Sequence, residues 1–215
     1  MRIDREADIL GLVDVQPTFM PGGELPVAEG HAVVPIINRM LAKFQHAFAT
    51  QDWHPPGHAS FASAHPGHAP YHEIDMPYGR QVLWPDHGLA GSANAELHRD
   101  LEQRKIEVVI RKGFHPTIDS YSTFFENDHR TPTGLDGWLR QRGFRRLILA
   151  GLATDVQTVC VCRARDATAA RVRSRRASQH ASRCASRRVS SKHSIAAPPF
   201  CASGSTCTSC GRSAT

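Results

Sequence analysis

Apolar residues fall into short blocks separated by polar and glycine-containing turns, and two periods alternate along the chain. Residues 9–13, Ile-Leu-Gly-Leu-Val, form a continuous apolar run that ends at Asp14, the pattern of a strand buried on both faces. Val33, Ile36, Ile37, Met40, Leu41 and Phe44 then recur at helical spacing and predict an amphipathic helix over 31–45. A second strand is expected over 47–50, ending at Gln51 and Asp52. Residues 53–88, rich in His, Pro and Gly, predict a long irregular loop, and loops of that length inside a compact domain are usually functional. A short helix is expected over 96–103 and a third strand over 106–110, ending at Arg111, Lys112 and Gly113. A helix over 135–142, stopped by Gly143, leads to a fourth strand over 147–150 that ends at Gly151.

Strands alternating with helices argue for an α/β fold, a parallel sheet flanked by helices. In such sheets ligands sit outside the carboxyl ends of the strands. Here those ends carry Asp14, Asp52, Lys112 and the Ala153-Thr154-Asp155 turn. One architectural rule therefore brings four separate points of the sequence to one site.

After Asp155 neither period continues. Residues 171–192 are rich in Arg and Ser, and 198–215 are mostly Pro, Gly, Ser, Thr and Cys, compositions that cannot build a core. Charge changes at the same place. Residues 1–155 hold 15 Lys and Arg against 19 Asp and Glu, a net of −4; residues 156–215 hold 11 against the single acid Asp166, a net of +10. The whole-chain value of +6 averages two unlike pieces. The acidic piece offers no nucleic-acid or membrane surface. The basic piece would suggest a phosphate-binding arm by charge alone, but Phe200 is its only aromatic, so nucleic acid is not expected as a partner. The six cysteines, 160, 162, 184, 201, 207 and 210, all lie after Asp155, and nothing else suggests a disulfide framework. No signal-peptide pattern and no apolar stretch of about 18 residues occurs, so a cytoplasmic protein with no membrane association is expected.

Asp52-Trp53-His54 places a carboxylate and an imidazole two residues apart just past a strand, and His87 follows in Trp84-Pro85-Asp86-His87-Gly88. Two His and one Asp leave positions open on a divalent metal, which is how catalytic rather than closed structural sites are built. The plainer alternative is a loop carrying surface histidines; His65, His68 and His72 fit it, and His58 is the first exception to consider. Asp14 reads equally as a polar strand end, Lys112 as a solvated lysine, and Phe19 and Trp84 as core aromatics or as walls around a flat ring.

Several segments together resemble one family. Leu12-Val-Asp-Val-Gln-Pro-Thr-Phe19 with Pro21-Gly-Gly23 is similar to the opening of the nicotinamidases (pyrazinamidases), within the isochorismatase-like cysteine hydrolases. So are Thr50-Gln-Asp-Trp-His-Pro55, His58-x-Ser60-Phe61, Gln81-Val-Leu-Trp-Pro-Asp-His87, Arg111-Lys-Gly-Phe-His115, Asp119-Ser-Tyr-Ser122 and Gly151-Leu-Ala-Thr-Asp155, in the family's order and at compatible spacings. The resemblance covers residues 1–155 and implies a three-layer isochorismatase-like fold. It implies hydrolysis of nicotinamide to nicotinate and ammonia, a step of NAD salvage, through a cysteine acyl-enzyme. It casts Asp14 as general acid/base and Lys112 as its partner. Asp52, His54 and His87 become ligands of one divalent metal (zinc, iron or manganese) that holds the pyridine nitrogen. Phe19 and Trp84 become the pocket walls, and Ala153, at the family's cis peptide, the oxyanion donor. A homo-oligomer remains open.

The resemblance breaks at the nucleophile. The family spacing places the cysteine at 157, where this chain has Gln157; its first cysteine, Cys160, comes three residues later. One helical turn puts Cys160 on roughly the same face about 4–5 Å further along, and misplacement of about 1 Å can cost about 10²-fold in rate. The C-terminal part of the fold is expected to be disrupted, with residues 156–215 a basic tail that is disordered or read out of frame from a GC-rich gene near codons 155–157. Two functional expectations follow: a nicotinamidase-type hydrolase, or a pseudoenzyme that binds metal or nicotinamide without turnover.

Overall fold

The computed structural model describes residues 2–152. The expectations for Ala153, Gln157, Cys160 and the 156–215 tail lie outside the described residues.

Four strands form one parallel sheet: β1 (Asp8–Val13), β2 (His46–Asp52), β5 (Ile106–Lys112) and β6 (Arg146–Gly151), in the order β5-β2-β1-β6. Every residue of β1 is buried, as its unbroken apolar run predicts for a central strand. Because side chains alternate across a strand, β1 feeds two cores. Leu10 and Leu12 join Val34, Ile37 and Leu41 of helix α1 (Val33–Leu41) on one face. Ile9 joins Phe48, Leu147, and Leu135 and Leu139 of helix α2 (Leu135–Gln141) on the other. The result is the helix–sheet–helix layering expected from the sequence. Gly11 has a packing reason: a Cβ there would sit 2.5 Å from the Phe48 ring and 2.7 Å from Leu149, so only glycine lets that aromatic lie against β1.

Three expectations need correction. The helix over 31–45 is shorter: a 3-10 turn at Gly30–Ala32 precedes α1, which ends at Leu41. Pro35 falls in the first turn of α1, where a missing N–H costs nothing. No α-helix forms over 96–103; two 3-10 turns, Ala93–Ala95 and Gln103–Lys105, bracket it. The backbone there is committed to tertiary bonds instead: the His98 N–H donates to Val15 O, and the Asp100 carbonyl accepts from Asn38. The 53–88 loop contains an antiparallel hairpin, β3 (Glu73–Met76) and β4 (Gly79–Val82). Only four residues per strand, half of them exposed, left its period too weak to stand out from the loop's His and Pro.

Among the described residues no helix is long and apolar enough to cross a membrane.

Candidate functional site

The carboxyl ends of β1, β2 and β5 converge as the parallel topology requires. Asp14 follows β1, Asp52 closes β2 and Lys112 closes β5 in register with it. Lys112 is fully buried, and its ammonium donates to Asp52 Oδ1 in a short contact, lies 2.9 Å from Asp14 Oδ2, and reaches the Ser120 carbonyl at 3.3 Å. The Asp14 contact is an ion pair by distance, with no aligned hydrogen bond to Oδ2. The solvated-lysine reading of the sequence therefore fails: a buried ammonium between two buried carboxylates is a charge cluster that must be kept paired.

Asp14 sits at φ 49°, an uncommon left-handed conformation for a residue other than glycine, and such strain clusters at functional sites. Its orientation is fixed by Thr50 in both directions. The Thr50 hydroxyl donates to Asp14 Oδ1 at 2.5 Å, and the Asp14 N–H donates to Thr50 Oγ1 at 3.2 Å. Burial raises the proton affinity of Asp14; Lys112 opposes this and Asp52 adds to it, leaving its pKa above the ordinary carboxylate value. Asp52 goes the other way. Burial would raise it too, but Lys112 and the two histidines outweigh burial and hold it well below the usual carboxylate range. Neighbouring carboxylates with opposite shifts suit one to carry protons and the other to remain an anion.

Asp52, His54 and His87 are all buried and offer ligand atoms within 4.8 Å of one another. Asp52 divides its labour: Oδ1 faces Lys112, while Oδ2 lies 3.6 Å from His87 Nε2. His87 Nδ1 donates to the Pro85 carbonyl at 2.8 Å, which leaves Nε2 as its lone-pair nitrogen. His54 Nε2 lies 3.2 Å from Asp119 Oδ1, and its Nδ1 is buried with no hydrogen-bond partner. An orphaned buried imidazole nitrogen beside a carboxylate and a second imidazole is a donor set that fits a divalent metal. Two glycines make the closeness possible. A Cβ on Gly113 would meet His54 Nε2 at 2.5 Å, and Gly88, also at positive φ, lies against Asp52.

Of the two aromatic candidates, Phe19 meets this group directly. Phe19, nearly buried, meets the His87 ring edge-on with centroids 5.7 Å apart. Trp84 is half-buried, donates from Nε1 to the Tyr121 hydroxyl at 3.0 Å, and meets Tyr71 edge-on. His58 meets the His54 ring edge-on, yet both of its nitrogens are taken, Nδ1 by Ser60 and Nε2 by the His115 carbonyl, so it serves the loop and stays outside the ligand set. His65, His68 and His72 stay outside it as well.

Sequence reasoning did not single out the residues that hold this site in place. Gln16 is fully buried and brackets Asp52, accepting from its N–H and donating to its carbonyl, both at 2.9 Å. Thr50 and Asp119 act on Asp14 and His54 as described. Their signal lay in short polar runs, such as Asp-Val-Gln and Asp-Ser-Tyr-Ser, that identify themselves only through their partners.

Comparison with known proteins agrees with the geometry. The Isochorismatase domain matches residues 9–174. A nicotinamidase of Acinetobacter baylyi is 49% identical over 144 residues, covering 67% of this chain and 67% of its own. The structure of an Acinetobacter baumanii nicotinamidase/pyrazinamidase superposes with a TM-score of 0.72 at 45% identity, over 75% of this chain and 78% of that one. A Pyrococcus horikoshii pyrazinamidase, solved in complex with zinc, superposes at 0.58 with 31% identity, over 74% and 78%. This chain belongs to the isochorismatase-domain family of hydrolases, among relatives that are nicotinamidases.

Proposed function

We propose that this chain carries the site of a nicotinamide amidohydrolase. The observation that carries the reading is Lys112, buried between Asp14 and Asp52 with His54 and His87 alongside. Family membership and the nicotinamidase relatives supply the substrate class. A divalent metal held by Asp52, His54 and His87 would supply a Lewis-acid anchor for the pyridine nitrogen of the substrate, and zinc is the metal named for one relative.

The residues divide the remaining work. Phe19, edge-on to His87, and Trp84, held by Tyr121, would offer apolar faces for a flat ring. Asp14, with its raised proton affinity, accepts the nucleophile's proton as the thiolate attacks the amide carbon. It returns that proton to the departing nitrogen, which leaves as ammonia. In the second half, a water adds to the thioester, and Asp14 takes its proton and restores the thiol as nicotinate leaves. Lys112 keeps its charge throughout: two carboxylates outweigh the cost of its burial and hold its pKa above the ordinary lysine value. It thereby limits the repulsion between Asp14 and Asp52. Ala153 is the proposed oxyanion donor, and the setting is proposed to be cytoplasmic.

The nucleophile decides how much of this chemistry the chain performs. Gln157 occupies the family position and Cys160 follows three residues later, so low turnover is expected. Gln157→Cys is expected to raise ammonia release from nicotinamide by about 10²-fold or more, the scale of a misplaced reacting group. An enzyme-coupled ammonia assay on zinc-loaded protein checks it. Rapid turnover by the parent chain that survives Cys160→Ser would contradict this assignment. Gln157 also favours a second reading, a pseudoenzyme that binds nicotinamide or metal without turnover; binding without ammonia release by the parent chain is its signature.

A further inference from the structure

Glu126 is a buried carboxyl group to which neither the sequence nor the proposed chemistry gives a role. It lies in the 119–133 loop between β5 and α2, is 1% exposed, and neither of its carboxyl oxygens has an aligned hydrogen bond. Its backbone is held firmly. The Glu126 N–H donates to Thr131 O and its carbonyl accepts from the His129 N–H, both at 2.9 Å. Phe125 pairs with Pro132, and the Thr133 N–H donates to Phe124 O at 3.0 Å. Asp128 closes the turn, accepting from the Arg130 and Thr131 N–H groups, each at 2.9 Å. Phe124 in turn packs into the core with Leu135 and Leu139. The carboxyl group therefore reaches water only if this turn opens.

An ionised carboxylate in such a place is costly, and a group so placed keeps its proton instead. The charged groups acting on it are Lys112 from β5 and Asp119 from its own loop. Burial raises its proton affinity most. The Ser120 hydroxyl, Lys112 and the Gly113 N–H oppose burial and Asp119 adds to it, leaving the pKa above the ordinary glutamate value. Lys112 gives limited help because its ammonium already faces Asp14 and Asp52.

We propose that Glu126 is a buried latch that holds the 119–133 loop closed as a neutral acid and releases it on ionising, which makes the loop a pH-sensitive switch. On opening, the carboxyl group gives its proton to water. The sign follows from linkage. A carboxyl group whose folded pKa is raised contributes stability below its unfolded value, and that contribution is lost as pH rises through the folded value. Between the two values one proton is released per opening, so the opening equilibrium grows about tenfold per pH unit. The same loop carries Asp119, which faces His54, and Tyr121, whose hydroxyl accepts the Trp84 indole N–H. Its opening would therefore loosen one side of the candidate site at alkaline pH. The inference concerns the loop itself and stands whether or not nicotinamide is the ligand.

Hydrogen exchange on the full chain tests it, read as protection factors so that ordinary base catalysis of exchange is removed. The amides to follow are those of Glu126, Asn127, His129 and Thr133, which close the turn. In the parent their protection should fall by up to about tenfold per pH unit above the ordinary glutamate range. In Glu126→Gln, which keeps the shape of the neutral acid, it should stay level. Equal pH dependence in the two proteins overturns the latch, and so does a matching loss of protection along β1, because the opening would then not be confined to the loop. Should Glu126→Gln fail to fold, carbon-13 titration of the Glu126 carboxyl in the parent decides. Titration above the ordinary glutamate range supports the inference, and titration at or below it overturns it.

Discussion

Replacing Lys112 by methionine is expected to destabilise the protein by about 3–5 kcal/mol, the usual consequence of removing one partner from a buried charge cluster. Lys112 is 0% exposed, and the side chains of Asp14 and Asp52 are 1% and 5% exposed. Methionine fills a similar volume, so lost packing is a small part of the effect. The larger part is two desolvated carboxylates that then repel without an ammonium between them. Both would regain proton affinity, so their folded-state pKa values would lie above those of the unfolded chain. A raised carboxyl pKa contributes stability below the unfolded value and loses it as pH rises. The deficit of Lys112→Met against the parent should therefore be smaller near pH 5 than near pH 8. Urea denaturation of metal-free protein at both values checks magnitude and sign together. A variant as stable as the parent at pH 8 would mean that Lys112 is not holding two ionised carboxylates.

Removing a ligand should have the second-largest effect. His87→Ala is expected to weaken zinc binding by more than about 10²-fold, beyond the upper range for outer-sphere partners. His87 suits this test better than Asp52, because Asp52 also pairs with Lys112 and its loss would mix the two effects. Thermal denaturation supplies the readout. A metal that binds only the folded state stabilises it by about 2.7 kcal/mol at 100 times its dissociation constant. The parent should melt at a higher temperature with zinc, and His87→Ala should not. Equal zinc-induced shifts in both would remove His87 from the ligand set.

The central sheet was legible because its strands are short apolar runs with polar residues at their ends. The runs at 9–13 and 106–110 lie inside β1 and β5, and those at 47–50 and 147–150 inside β2 and β6. The convergence of Asp14, Asp52 and Lys112 followed from strand polarity alone, before any contact was known. What was not legible depends on tertiary partners. Residues 96–103 have a plausible helical composition, but their backbone bonds to Val15 and Asn38 instead of to itself. His58 was, in sequence, the first exception to consider among the surface histidines of the loop. What excludes it is the backbone carbonyl and the hydroxyl that reach its ring. Asp119 stands 65 residues from His54, and only folding shows that its carboxylate faces that ring.

The most direct test of the central claim, that the described residues build a metal-dependent nicotinamide site, is calorimetric titration of nicotinamide into the full chain with and without bound zinc. This readout does not require a working nucleophile. The account predicts stoichiometric binding to the zinc-loaded chain and much weaker binding to the metal-free chain. Equal affinity in the two states, or no binding to the zinc-loaded chain, would contradict it.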